Sequence, residues 1–119
     1  MLRALRGATT VDDDTPDHVR QRVVALLQEM FSRNGIDHDQ LVSLVFTATD
    51  DLHSAFPATA ARSIGLGDVP MLCARELDIA GGTARCIRVL AHLDTTRARH
   101  ELRHVYLEGA VGLRDDLPG

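Results

Sequence analysis

Cys86-Ile87-Arg88-Val89-Leu90-Ala91-His92-Leu93 is the stretch on which the fold turns. Successive side chains of a strand point to opposite faces. Ile87, Val89, Ala91 and Leu93 therefore make one uniformly apolar face, suited to meet a helix. Cys86, Arg88, Leu90 and His92 make a second face that mixes apolar and charged groups. That mixture suits a subunit interface with a polar pocket, and copies of the same chain are the simplest cover for it. A solvated open face is the alternative.

Outward from this strand, Ala80-Gly81-Gly82 is a turn and Val69 to Ile79 reads as another strand. Pro57 to Ile64 can form two helical turns closed by Gly65 and Gly67, and the short apolar run Leu41 to Thr49 reads as a central strand. The one long helix is announced by its caps. Asp12-Asp13-Asp14 precedes Thr15 as N-cap and Pro16 at the first helical position. Val19, Val23, Leu26, Leu27, Met30 and Phe31 then recur at helical spacing until Asn34-Gly35 stops the helix. Leu2 to Val11 is a strand before it. Downstream, Thr95 to Arg103 is a polar connector with at most one helical turn. Val105 to Leu113 reads as a fifth strand weakened by Gly109 and Gly112. The tail from 114 to 119 is expected to be mobile. The fold class is α+β: a mixed five-stranded sheet with one long helix on one face, in a single domain spanning 1–119.

Composition narrows the function. The 119 residues are 45% hydrophobic and 25% charged, which is globular and long enough for one core. The net charge of −4 argues against binding nucleic acid by bulk positive charge, and 3% aromatics leave little for base stacking. All 13 basic residues are arginines. No apolar run reaches the roughly 20 residues of a membrane span, and no apolar segment near the N-terminus suits a signal peptide. Two cysteines, Cys73 and Cys86, make no disulfide framework and read as reduced thiols of a cytoplasmic protein.

His100-Glu101-Leu102-Arg103-His104 matches HExxH, a zinc motif only when both histidines share a helix face. Here it runs straight into the strand-like Val105-Tyr106-Leu107, so a chance match in a connector is the better account. Asp37-His38-Asp39 reads as a solvated turn, and Gly81-Gly82 lacks the surroundings of a phosphate loop. No nucleophile-and-base signature is present. What remains is arginines set in apolar strands, Arg6 in Leu5-Arg6-Gly7-Ala8 and Arg88, with Glu76 in a similar setting. A strand arginine is costly to bury without an anion. An internal Arg–Glu bridge satisfies that condition, and so does a small anionic ligand held by guanidinium forks.

Arg6-Gly7-Ala8-Thr9-Thr10-Val11, Ala48-Thr49-Asp50-Asp51-Leu52-His53-Ser54-Ala55-Phe56-Pro57-Ala58, Cys86-Ile87-Arg88-Val89 and Arg103-His104-Val105-Tyr106-Leu107-Glu108 together resemble the monofunctional chorismate mutases of the Bacillus (AroH) type. The resemblance runs in order through nearly the whole chain. It implies an isomerase that rearranges chorismate to prephenate in phenylalanine and tyrosine biosynthesis. It implies no cofactor and no metal, and a homotrimer whose sheets form a pseudo-α/β barrel with active sites at the subunit interfaces. By resemblance, Arg88 is the arginine at the substrate's ether oxygen and Glu76 the acid that accepts from its hydroxyl. Arg6 and Tyr106 meet a carboxylate, and Cys73 lies near the ring hydroxyl. Phe56, Ala58, Thr59, Arg62 and Leu72 line the substrate site, the first, second and fourth supplied by the neighbouring subunit, and Leu113 begins the closing segment. Thr59 stands where the Bacillus enzyme has lysine, and Leu72 where it has threonine. A small trimeric ligand-binding protein with the same clefts is the non-enzymatic alternative.

Overall fold

The computed structural model describes residues 1–113. The expected mobile tail from 114 to 119 lies outside the described residues. Five strands form one sheet in the order β3-β2-β4-β1-β5. They are β1 (Leu2–Thr10), β2 (Leu41–Ala48), β3 (Met71–Arg75), β4 (Cys86–Asp94) and β5 (Val105–Tyr106). The stretch that opened the sequence reading is the middle strand. β4 runs antiparallel to both β1 and β2, while β3 and β5 add parallel partners at the two edges. The sheet is therefore mixed, as expected.

The apolar face of β4 is buried as its alternation predicts: Ile87, Val89, Ala91 and Leu93 are all in the core. Helix α1 (Pro16–Asn34) packs on β1 and β5, and α2 (Pro57–Ser63) packs on β2 and β3 and against α1. Val23, Leu26, Leu27 and Met30 of α1 meet Leu5, Phe46 and Ile87 in one cluster. The caps of α1 form as read. Thr15 Oγ1 accepts the His18 N–H at 3.2 Å. Gly35 takes the left-handed φ of 59° that lets Ile36 N–H reach the Phe31 carbonyl at 2.9 Å. Gly7 of β1 lets α1 come close, because a Cβ there would stand 2.4 Å from Met30 Sδ.

Two strands are shorter than their apolar runs. The expected strand from Val69 to Ile79 pairs only over Met71–Arg75. Its last ladder bond runs from Glu76 N–H to the Ala48 carbonyl at 3.0 Å. Beyond that, β2 ends, and Leu77 and Ile79 lie exposed with no strand to pair with. The expected strand from Val105 to Leu113 is replaced after Tyr106. Leu107 N–H still reaches the Ala8 carbonyl, and Glu108 then turns with φ 52° into a 3-10 turn over Glu108–Ala110. Gly109 N–H caps Thr10 Oγ1 at 2.8 Å there, so the glycines serve a turn rather than a weak strand.

The connector from Thr95 to Arg103 has one 3-10 turn, Arg99–Glu101. A buried side chain holds it. Asn34, at the end of α1, accepts the Arg103 N–H at 2.7 Å and donates to the carbonyls of Arg103 and Met30 at 2.9 and 2.8 Å. This clamp sets the start of β5, and with it the position of Tyr106.

Candidate active site

Among the described residues, the opposite face of the sheet carries no helix. Cross-strand register places Tyr106 beside Ala8, Ala8 beside Arg88, Arg88 beside Thr47, and Thr47 beside Ala74, a single row across all five strands. Arg6, Leu90, Val45 and Leu72 form the next row on the same face. Ala8 is the physical reason for a cavity here: the smallest side chain in the row separates two of the longest. The cavity measures about 300 Å³ and is lined by Arg6, Thr47, Glu76, Arg88 and Tyr106, with Val45 and Leu90 beneath.

Glu76 lies one residue beyond β3 and keeps the parity of Leu72 and Ala74, which turns it to this face. Its Oε2 accepts from Thr47 Oγ1 at 2.5 Å and stands 3.4 Å from Arg88 Nε. The pair is half open to solvent, with side chains 45% and 24% exposed for Arg88 and Glu76. Arg88 thus has the acid partner that an internal bridge requires, and that pair lines a cavity. Arg6 is anchored through its backbone N–H, which donates to His104 Nδ1 at 2.9 Å. Tyr106 Oη is buried and has no hydrogen-bond partner among the described residues. A buried phenol normally finds one. A second cavity of about 380 Å³ continues from Arg6 and is lined by Arg3, Arg99, His92 and His104. No carboxylate lines it among the described residues.

The structure brings Arg6, Glu76, Arg88 and Tyr106 together and leaves the other expected residues elsewhere. Cys73 pairs with Phe46 and shares its buried side of the sheet. Its side chain lines a separate cavity of about 670 Å³ with Leu52, Phe56, Pro57 and Arg75, so within one chain it does not reach the Arg88 cluster. The reason is parity: Cys73 is odd along β3, while Leu72 and Glu76 are even. Phe56 is 71% exposed at the mouth of that second space, Ala58 is buried in α2, and Thr59 and Arg62 point outward from α2. Leu72 is 63% exposed on the bare face, and Leu113 sits in the turn after the last 3-10 segment. None of these six lines the Arg88 cavity.

Several supporting residues were not singled out in the sequence. Asp14 accepts the N–H groups of His53 and Ser54 at 2.8 and 3.0 Å, tying the loop before α2 to the start of α1. Asp50 takes both forks of Arg75, at 2.7 and 2.6 Å, and this hydrogen-bonded guanidinium holds its carboxyl below the usual range. Burial pushes the Asp51 carboxyl up, but hydrogen bonds from Thr49 Oγ1 and Arg85 N–H outweigh it and leave it lowered. Burial pushes the Cys86 thiol up, which suits an inert core cysteine. Thr47 was legible by alternation, since Leu44 and Phe46 point inward and Val45 and Thr47 outward.

The literal HExxH does not assemble. His100 lies within a single 3-10 turn and His104 just before β5, so the two share no helix, and His104 Nδ1 is occupied by Arg6 N–H. Among the described residues no group of three or more His, Cys, Asp or Glu side chains could hold a metal ion. Asp37-His38-Asp39 is a surface turn in which His38 Nε2 meets Asp68 at 2.7 Å. No helix among the described residues is long and apolar enough to cross a membrane.

A bare sheet face carrying two guanidinium groups, a carboxylate and a buried phenol around one cavity suits a small polyanion. Residues 2–117 match the family described as Chorismate mutase type I, and the chain belongs to that family. It is 49% identical over 118 residues to Chorismate mutase AroH of Thermus thermophilus, covering 98% of this chain and 97% of that one. It is 42% identical to Chorismate mutase AroH of Bacillus subtilis (strain 168), covering 98% and 93%. The solved chorismate mutase from Clostridium thermocellum superposes with a TM-score of 0.89 at 44% identity, covering 91% of this chain and 96% of that one. The activity is that of an isomerase, the conversion of chorismate to prephenate.

Proposed function

We propose that Arg88, Glu76, Arg6 and Tyr106 carry this rearrangement, in a site that a second copy of the chain completes. The reaction breaks one C–O bond and forms one C–C bond within the substrate, with no proton, electron or group entering or leaving. The protein's task is to hold the dianion folded with its reacting carbons close, and to meet charge that appears only as the C–O bond lengthens. Arg88 serves the second need: a fixed guanidinium at the ether oxygen stabilises the growing negative charge. Arg6 and the free Tyr106 Oη serve the first by binding a carboxylate, and Glu76 accepts from the ring hydroxyl. The acid-free cationic cavity beside Arg6 favours approach of a dianion.

The observation that carries this reading is the convergence of two guanidinium groups, a carboxylate and a phenol on one cavity of an otherwise bare sheet. The homotrimer, with sheets joined in a pseudo-α/β barrel, rests on two supports. The helix-free face exposes Leu72, and Phe56, Ala58, Thr59 and Arg62 lie outside the Arg88 cavity of their own chain. A neighbour would bring the α2 end of one chain, with Phe56 and Arg62, over the Arg88 cavity of another. A cytoplasmic setting agrees with two free thiols.

Incubation of purified protein with chorismate, followed by ultraviolet absorbance and NMR, tests the reading. Stoichiometric prephenate is expected, from a particle of three protomer masses by light scattering. Binding without turnover would leave the ligand-binding trimer, and a monomer at full activity would remove the shared site.

A further inference from the structure

We infer that Thr47 is a positioning residue for the reaction, one that fixes which oxygen of Glu76 faces the substrate and keeps the Arg88 guanidinium open; this rests on the roles proposed above for Glu76 and Arg88. Glu76 stands outside β3, and among the described residues its backbone is tied by the bond to the Ala48 carbonyl. Its side chain therefore takes its direction from what its oxygens meet. Thr47 Oγ1 donates to Oε2 at 2.5 Å, and Arg88 Nε approaches the same Oε2 at 3.4 Å.

The geometry is asymmetric by construction. An arginine beside a carboxylate prefers the bidentate fork, with both oxygens engaged, and Asp50 and Arg75 adopt that arrangement elsewhere in this chain. Glu76 and Arg88 do not. Thr47 sits beside Arg88 in register on the neighbouring strand and holds Oε2 toward β2. Oε1 is left to accept a ligand hydroxyl, and the Arg88 guanidinium, which also hydrogen-bonds the Cys86 side chain, is not closed into a two-oxygen fork with Glu76. Threonine suits this because its branched Cβ on a central strand restricts χ1 and so aims the hydroxyl. Without that hydroxyl, Glu76 would close onto Arg88 as a fork, and both groups would turn partly away from the reacting atoms.

Thr47→Val keeps shape and strand preference while removing the hydroxyl, and Thr47→Ser keeps the hydroxyl. For Thr47→Val, kcat is expected to fall about tenfold with KM changed less than about threefold, the scale of a small displacement of a catalytic group. Thr47→Ser is expected to return to within about threefold of the parent. In a Glu76→Gln background, whose amide can no longer act as the anionic acceptor, the Thr47→Val effect should largely vanish, because residues acting through one another are not additive. Undiminished kcat in Thr47→Val, with Glu76→Gln and Arg88→Ala still crippled, overturns the inference alone. The same tenfold loss in both backgrounds also overturns it. Parent-like turnover in Glu76→Gln and Arg88→Ala themselves refutes the underlying site assignment instead. If Thr47→Val does not fold, the Thr47→Ser and Thr47→Ala pair gives the same comparison.

Discussion

Arg88→Ala separates catalysis from folding. Arg88 is paired with Glu76 at 3.4 Å, but its side chain remains 45% exposed in the single chain. A half-exposed ion pair contributes at most about 1 kcal/mol to stability. Its removal leaves no orphaned carboxylate, since Thr47 still donates to Glu76. For a chain of this size about 1 kcal/mol moves Tm by only a few degrees. The role at the ether oxygen is worth far more. Losing a preorganised donor to developing negative charge costs about 3–4 kcal/mol, on the order of a hundredfold to a thousandfold in kcat. The assay is chorismate consumption by absorbance beside a thermal melt at fixed protomer concentration, because assembly makes Tm depend on concentration. The expected result is activity down at least about a hundredfold with Tm within about 5 °C of the parent. Arg88→Lys should recover little, since an ammonium supplies charge without the planar fork. Turnover within threefold of the parent in Arg88→Ala would refute the reasoning, and so would a collapse of Tm in step with activity.

The remaining expectations concern the supports of the site. Asn34→Ala strands the N–H and carbonyl of Arg103, both bonded to Asn34 near the core, and should cost about 2–4 kcal/mol, read as a lowered urea midpoint. An unchanged midpoint would mean that water replaces the clamp. Asp50 and Asp51 both have carboxyls lowered below 3.8. Each therefore contributes stability that is complete above the unfolded value and is lost as pH falls through the folded one. Hydrogen exchange of the loop from 49 to 56 should accelerate as pH drops below about 4, after correction for intrinsic rates; a flat corrected profile down to pH 3 would contradict this. Tyr106→Phe removes a hydroxyl that has no partner among the described residues. It should leave Tm unchanged or slightly higher while raising KM about tenfold, by the ~1.5 kcal/mol of a hydrogen bond to a charged group. An unchanged KM would free Tyr106 of any substrate contact.

Much of this molecule was legible without coordinates, for local reasons. Caps and periodicity placed α1 from Thr15 to Gly35, since a helix end is decided by residues within a turn of it. Alternation in β4 assigned Ile87, Val89, Ala91 and Leu93 to the core and Arg88 to the other face, because strand geometry alternates whatever the strand's neighbours are. Arg6, Arg88 and Glu76 stood out because charge in an apolar strand demands a partner. Tertiary structure alone decided how those strands align. The register that puts Tyr106, Ala8, Arg88 and Thr47 in one row is set by pairing between segments up to about a hundred residues apart. It also decided where strands stop, since β3 and the segment after Tyr106 lose their ladder partners before their apolar residues run out. Cys73 marks the division most plainly: its odd spacing from Glu76 along one strand already sets the two on opposite faces, whereas the pairing that puts Glu76 beside Arg88 came only from the tertiary register.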